Sequence, residues 1–226
     1  MPVYLDHNAT SPVRPTAVQT MTDALHAVGN ASSVHRYGRD ARRRVEDARE
    51  AVAGLVGCAP GDLLFTSGGT EANNTALNGH GRARTLVSAG EHEAVLQARA
   101  DAETIDLRPE GTVDLDALDA ALAADDRPAL VSVMLANNET GAINPIDRVV
   151  EIARRYGARV HCDAVQAPGK IPVDARALGV DLLTVSSHKL GGPQGAGALV
   201  VLDGQPLTPL LAGGGQERKQ RAGTEN

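Results

Sequence analysis

"LLTVSSHKLGGPQGAGALVV", residues 182–201, decides the fold. An apolar run stops at two serines, a histidine and a lysine, breaks into a glycine-rich turn, and resumes as a second apolar run. Runs without polar alternation belong to strands covered on both faces. The same signature recurs at 63–67, 85–89, 104–108, 129–135, 158–164, 181–187 and 197–201. Between these runs, apolar residues recur at helical spacing over 41–56, 70–79, 92–102, 114–124 and 147–156. Asp114 and Asp147 read as caps or first-turn acids, and Gly157 as a helix-closing glycine. Strands alternating with helices imply an α/β fold, a mostly parallel sheet of about seven strands with helices on both faces. Such sheets bind ligands beyond the carboxyl ends of their strands, and Lys189 falls there.

The 226 residues are 42% hydrophobic and 22% charged, enough for one large domain with a substantial core. A net charge of −6 argues against nucleic acid or an anionic membrane surface as partner. The cluster Arg36, Arg39, Arg42, Arg43 and Arg44 is interleaved with Asp40, Glu46, Asp47 and Glu50, and reads as a solvated helix face. Cys58 and Cys162 are too few for a disulfide framework and fit a reducing compartment. "MPVYLDHNATSP" lacks a basic segment followed by an apolar one, and no apolar run approaches the roughly 18 residues of a membrane span. A cytoplasmic protein is expected. The glycine-rich, polar "AGGGQERKQRAGTEN" reads as an interruption rather than a natural terminus.

Polar residues that a core would not choose cluster at the strand ends. "HCDAVQ" places His161, Asp163 and Gln166; "SSHK" places Ser186, His188 and Lys189; "ANNETG" places Asn137, Asn138 and Glu139. In "TSGGTEANN" Gly68, Gly69 and Thr70 lead into a helix, offering backbone N–H groups and a hydroxyl to a phosphate. His92 follows another strand. A phosphate cradle, a buried acid, a ring donor and a lysine at one sheet edge are what pyridoxal phosphate requires. The lysine forms a Schiff base with its aldehyde, and the acid keeps its pyridine nitrogen protonated.

Other chemistries fit the letters less well. Gly169-Lys170 lacks the spacing and the following Ser or Thr of a nucleotide phosphate loop. Gly195 and Gly197 are followed by Val200 where a dinucleotide fingerprint needs its third glycine. A metal site from His161, Cys162, Asp163 and His188 is opposed by strand alternation, which turns Cys162 away from its neighbours. A serine–histidine–acid triad lacks its G-x-S-x-G turn.

The blocks "YLDHNATSPV", "GNASSVHRYG", "FTSGGTEANN", "EHEAVL", "ANNETGAINPI", "HCDAVQAPGKIPVD", "SSHKLGGPQGAGAL" and "GGGQERKQRAGTEN" run in order along essentially the whole chain. In them the sequence resembles the cysteine desulfurase family (NifS/IscS-like) of class V aminotransferases, pyridoxal-phosphate enzymes of fold type I. The resemblance implies a pyridoxal 5'-phosphate aldimine at Lys189, with Asp163 as partner of the ring nitrogen and Gln166 as donor to the phenolic oxygen. It implies a ring-stacking, proton-relaying role for His92, and a phosphate shell of Gly69, Thr70, Ser186 and His188. Asn138 would sit on the cofactor and substrate side. Thr224 would reach the phosphate of a neighbouring subunit, so a homodimer is implied. The implied reaction takes L-cysteine to L-alanine and leaves sulfur on an enzyme cysteine, for a sulfur acceptor such as an iron–sulfur scaffold protein. The resemblance also implies an N-terminal arm over 1–14 on the small-domain side and a cofactor-binding large domain over 15–226.

The sequence departs from the family at several positions, among them Lys219 where glycine is customary. Length is the larger departure. The family's nucleophilic cysteine and its substrate-binding arginine lie beyond "GTEN". A fragment of a longer desulfurase is therefore expected, incomplete at its C-terminal side and making no persulfide alone. A cofactor-binding remnant and a relative acting on selenocysteine are the alternatives.

Overall fold

The structure, a computed structural model, describes residues 2–226. Its elements are α1 (Pro15–Leu25), α2 (Arg36–Val56), β1 (Leu63–Thr66), α3 (Gly69–Gly79), β2 (Arg84–Ser88), α4 (Glu93–Leu96) and β3 (Glu103–Ile105). They continue with α5 (Leu115–Ala123), β4 (Ala129–Ser132), α6 (Ile146–Arg155), β5 (Arg159–Asp163), α7 (Ala175–Leu178), β6 (Leu182–Ser186) and β7 (Gly197–Val201). The strands form one sheet in the order β1-β7-β6-β5-β4-β2-β3. β7 runs antiparallel to both its neighbours, β1 and β6, and every other pair is parallel. All strands but β7 therefore end at the same edge.

Alternation sorts each strand's residues between two cores. Val131, Val160, Cys162 and Leu183 pack with Leu118, Leu122, Val149 and Ile152 of α5 and α6. Leu64, Leu130, Leu182 and Leu199 point the other way, onto Ala72, Ala76 and Leu77 of α3. The expected seven strands are all present, and Asp114 caps α5 by accepting from the Asp116 and Ala117 amides. Gly157 closes α6 with φ 62°.

Two helical expectations are corrected. The 92–102 helix is a single turn, α4, because Arg99 forks onto Asp101 through bonds of 2.8 and 2.6 Å and turns the chain into β3. Conversely, α1 forms without having been anticipated. Proline occupies its first turn, and none of its residues is buried, so it carries no core-facing stripe to read. The arginine cluster of α2 is solvated, with Arg36 and Arg43 both paired to Asp40. Among the described residues, no helix is long and apolar enough to cross a membrane.

The glycine-rich C-terminal segment is anchored rather than loose. Glu217, 6% exposed, accepts from both terminal nitrogens of Arg49 in α2 at 2.7 and 2.8 Å, and from the Phe65 amide at 3.0 Å. Arg49 is itself buried and also donates to the Leu63 carbonyl. Removing one member of such a pair leaves a desolvated charge without its partner. E217A should therefore lower unfolding free energy by about 3–5 kcal/mol in a urea titration.

The turn that follows is strained. Glu217, Arg218 and Lys219 take φ of 43°, 55° and 67°, a region hostile to residues with a Cβ. Position 219 is thus a left-handed position, one that favours glycine. K219G should raise stability by about 1 kcal/mol in the same titration.

Candidate active site

The shared strand edge opens into a cavity of ≈ 490 Å³. Each wall comes from the loop after a strand. β1 leads to Gly69, Thr70 and Asn73; β2 to His92; β4 to Met134, Ala136, Asn138 and Glu139. β5 leads to Asp163, Val165 and Gln166, and β6 to Ser186, His188 and Lys189. The N-terminal arm closes one side with Asp6, Asn8 and Ala9. Every residue predicted for the site lines this cavity except Thr224, which is exposed near the end of the chain.

Asp163 ends β5 and is 6% exposed. Its carboxylate accepts from Asn73 Nδ2 at 2.7 Å and from the Val165 amide at 2.9 Å. Burial pushes its pKa up; those two bonds, and the charges of His92 and Lys189, pull against the rise. Glu91 adds a second buried acid nearby. Burial, and after it the Asp163 charge, raise its pKa well above the usual carboxylate range.

Lys189 sits in a single helical turn after β6. Its amine donates to the Asn8 and Ala9 carbonyls of the arm, the latter at 3.0 Å. Burial lowers its pKa first and the charge of Lys170 second, while Asp163, Asp6 and Glu139 raise it. Asp163 and Lys189 thus feel each other's charge across one cavity. His92 caps α4, its Nδ1 accepting from the Ala94 amide at 3.0 Å, which leaves Nε2 free to exchange a proton. His188 contacts Thr10 Oγ1 at 3.2 Å, and burial with the adjacent Lys189 charge lowers its pKa.

At the start of α3, Gly68 takes φ 152° and no side chain caps the helix. A Cβ on Gly69 would approach Val165 Cγ2 to 3.0 Å. An uncapped N-terminus leaves amide donors for an anion. Asn73 Oδ1, buried beside Asp163, has no hydrogen-bond partner. An open phosphate cradle, a buried carboxylate and a half-buried amine around one cavity match the needs of pyridoxal phosphate. The alternative ligands suggested by sequence are otherwise engaged. His161 spends both ring nitrogens on Ser132 and Thr184 hydroxyls, at 2.8 and 3.0 Å. Cys162 is buried in the opposite core, where burial raises its thiol pKa well above the usual value. Cys58 follows α2, its thiol pushed up to about 11, chiefly by burial.

Sequence reasoning missed Asn73, Asn8 and Lys170 as parts of the site. Asn73 stood within the quoted "TSGGTEANN", one helical turn after Gly69, and that spacing was the available signal. Asn8 carried none, since only the folded arm brings it to the cavity, and Lys170, outside the lining, is tied to it through Gln166 and Asn8.

The aminotransferase class-V family profile matches residues 3–226. An IscS-like cysteine desulfurase of Mycobacterium tuberculosis is 42% identical over 98% of this chain and 61% of its own length. A cysteine desulfurase of Frankia sp. is 46% identical over 99% of this chain and 59% of its own length. Among solved structures, a NifS-like protein of Rickettsia africae superposes with a TM-score of 0.95 at 36% identity, covering 100% of this chain and 65% of its own. A structure described as SspA in complex with cysteine gives 0.90 at 30% identity, covering 99% of this chain and 69% of its own. The chain spans about 60% of the length of the curated relatives it matches.

The buried Asp163 carboxylate implies a conflict between stability and binding. Its folded pKa is raised, so its ionised form opposes folding as pH climbs above the unfolded carboxylate range. D163N removes that penalty, and a turned Asn73 amide can accept from the new amide through its unpaired Oδ1. The cofactor-free variant should be more stable by about 1 kcal/mol at neutral pH, with the gain vanishing in acid, as read by thermal melts across pH.

Proposed function

This chain belongs to the aminotransferase class-V family, and on that premise we propose that it is the cofactor-binding part of a pyridoxal-phosphate-dependent cysteine desulfurase. The observation that carries the reading is the placement of Lys189 and Asp163 on one cavity beside the uncapped start of α3. Similarity to cysteine desulfurases along nearly the whole chain supports the substrate, L-cysteine.

Bound pyridoxal phosphate supplies an electron sink for charge developing at the substrate Cα. The protein's part is positional and protonic. Asp163 would hold the proton on the ring nitrogen. The Gly69 backbone, Thr70, Ser186 and His188 would hold the phosphate, and Gln166 would donate to the phenolic oxygen. Lys189 anchors the cofactor through Nζ. The same Nζ, when not bonded to the cofactor, would be the base for the substrate Cα proton, and its lowered pKa enlarges the neutral fraction that can act so. His92, whose Nδ1 is held by the Ala94 amide, would relay protons through Nε2, and Asn138 would border the substrate.

Neither cysteine is suited to receive sulfur. Both thiols have raised pKa values and neither lines the cavity, whereas a useful nucleophile needs a depressed one. The accepting thiol is supplied from outside these 226 residues, and an acceptor protein such as an iron–sulfur scaffold follows it. In a homodimer Thr224, which does not line its own chain's cavity, would serve the partner's phosphate. Within this scheme, residues 1–14, of which the first lies outside the described residues, form the N-terminal arm, which reaches the site through Asp6, Asn8 and Ala9, and residues 15–226 the cofactor domain.

Pyridoxal phosphate added to the purified chain should give a visible absorbance band that L-cysteine perturbs and L-alanine perturbs less. K189A should lack the band. A band unchanged in K189A, or indifferent to L-cysteine, would contradict the proposal.

A further inference from the structure

Lys170 has no part in the reading above, yet it lies four residues past Gln166 and touches the site. Its amine donates to Gln166 Oε1 at 2.5 Å and to Asn8 Oδ1 at 3.2 Å. An ammonium has donors and no acceptor, so it meets only the oxygen end of an amide. Both amides are thereby turned one way. Gln166 presents Nε2, which donates to the Asn8 carbonyl at 2.8 Å. Asn8 presents Nδ2, which donates to the Asn138 carbonyl at 3.1 Å. The Asn8 carbonyl also accepts from Lys189. One arm residue therefore ties together the loops after β4, β5 and β6, and Lys170 sets the direction of every amide in the tie.

We propose that Lys170 is a positioning residue that fixes the amide of Gln166 with its N–H₂ toward the cofactor's phenolic oxygen and holds Asn8 over Lys189. The inference rests on the assignment of Lys189 as cofactor lysine and names what orients its surroundings. A glutamine free to turn would present oxygen to oxygen half the time, and the ring would lose a donor. Lys170 also places a positive charge near the Lys189 nitrogen, opposed there by Asp163, Asp6 and Glu139. Loss of the donor and loss of the charge act in the same direction, since each makes a protonated nitrogen at Lys189 easier to keep.

The test is a pH titration of the visible absorbance of the cofactor-loaded full chain, in wild type, K170M, K170Q and K170R. Lys170 is exposed, so the variants should melt like wild type by circular dichroism. In K170M and K170Q the midpoint should rise by roughly 0.5–1 pH unit, and cofactor retention on dialysis should weaken by about 3–10-fold. K170R keeps the charge and the donor-only head and should lie close to wild type. A wild-type midpoint and wild-type retention in both K170M and K170Q would overturn the role of Lys170. Absence of the band in wild type, or its survival in K189A, would instead strike the underlying assignment, so the two failures are distinguishable.

Discussion

A carboxylate at the end of a buried strand is the constraint around which this molecule is arranged. Asp163 is nearly solvent-free, and an isolated charge there is costly. Two hydrogen bonds reduce the cost, one from Asn73 in α3 and one from the Val165 amide, and burial still prevails over them. Glu91, buried beside it, has its own pKa raised by burial and by the Asp163 charge. Under the proposed function, a protonated ring nitrogen would supply the remaining compensation. Stability is given up locally so that binding can recover it, a pattern expected of functional sites.

The sheet makes this possible by geometry. All strands except β7 bring their carboxyl ends to one edge, so loops distant in sequence share one cavity. β7, reversed, packs its Gly197 against Gly68; a Cβ there would come within 2.7 Å of the Gly68 backbone. That close approach sets the turn before α3 and hence its uncapped N-terminus. The arm then completes the wall. Ser11 and Arg14 pair by backbone with His188 and Gly191, running the N-terminal segment along the Lys189 turn.

Much of this was legible in the letters because strands buried on both faces must be continuously apolar, and polar residues at their ends stand out. Lys189, Asp163, Gln166 and His92 were visible in that way. Asn73, Asn8 and Lys170 were not, because their roles come from contacts across the fold. Asn73 lies 90 residues from Asp163, and Asn8 lies 181 from Lys189. α1 escaped notice because a helix with no buried residue carries no core-facing pattern. The length of α4 was misjudged because an Arg99–Asp101 fork, rather than a glycine or proline, ends the helical run. The left-handed turn at 217–219 was hidden for a related reason, since lysine occupies a position whose geometry favours glycine.

The chain's lysines are Lys170, Lys189 and Lys219, which makes the central claim directly measurable. Pyridoxal phosphate can be trapped on the native protein by borohydride reduction and located by peptide mass mapping. The account predicts the added mass on the peptide containing Lys189, with Lys170 and Lys219 unmodified at stoichiometric cofactor. Label on Lys170 or Lys219 in place of Lys189 would contradict it.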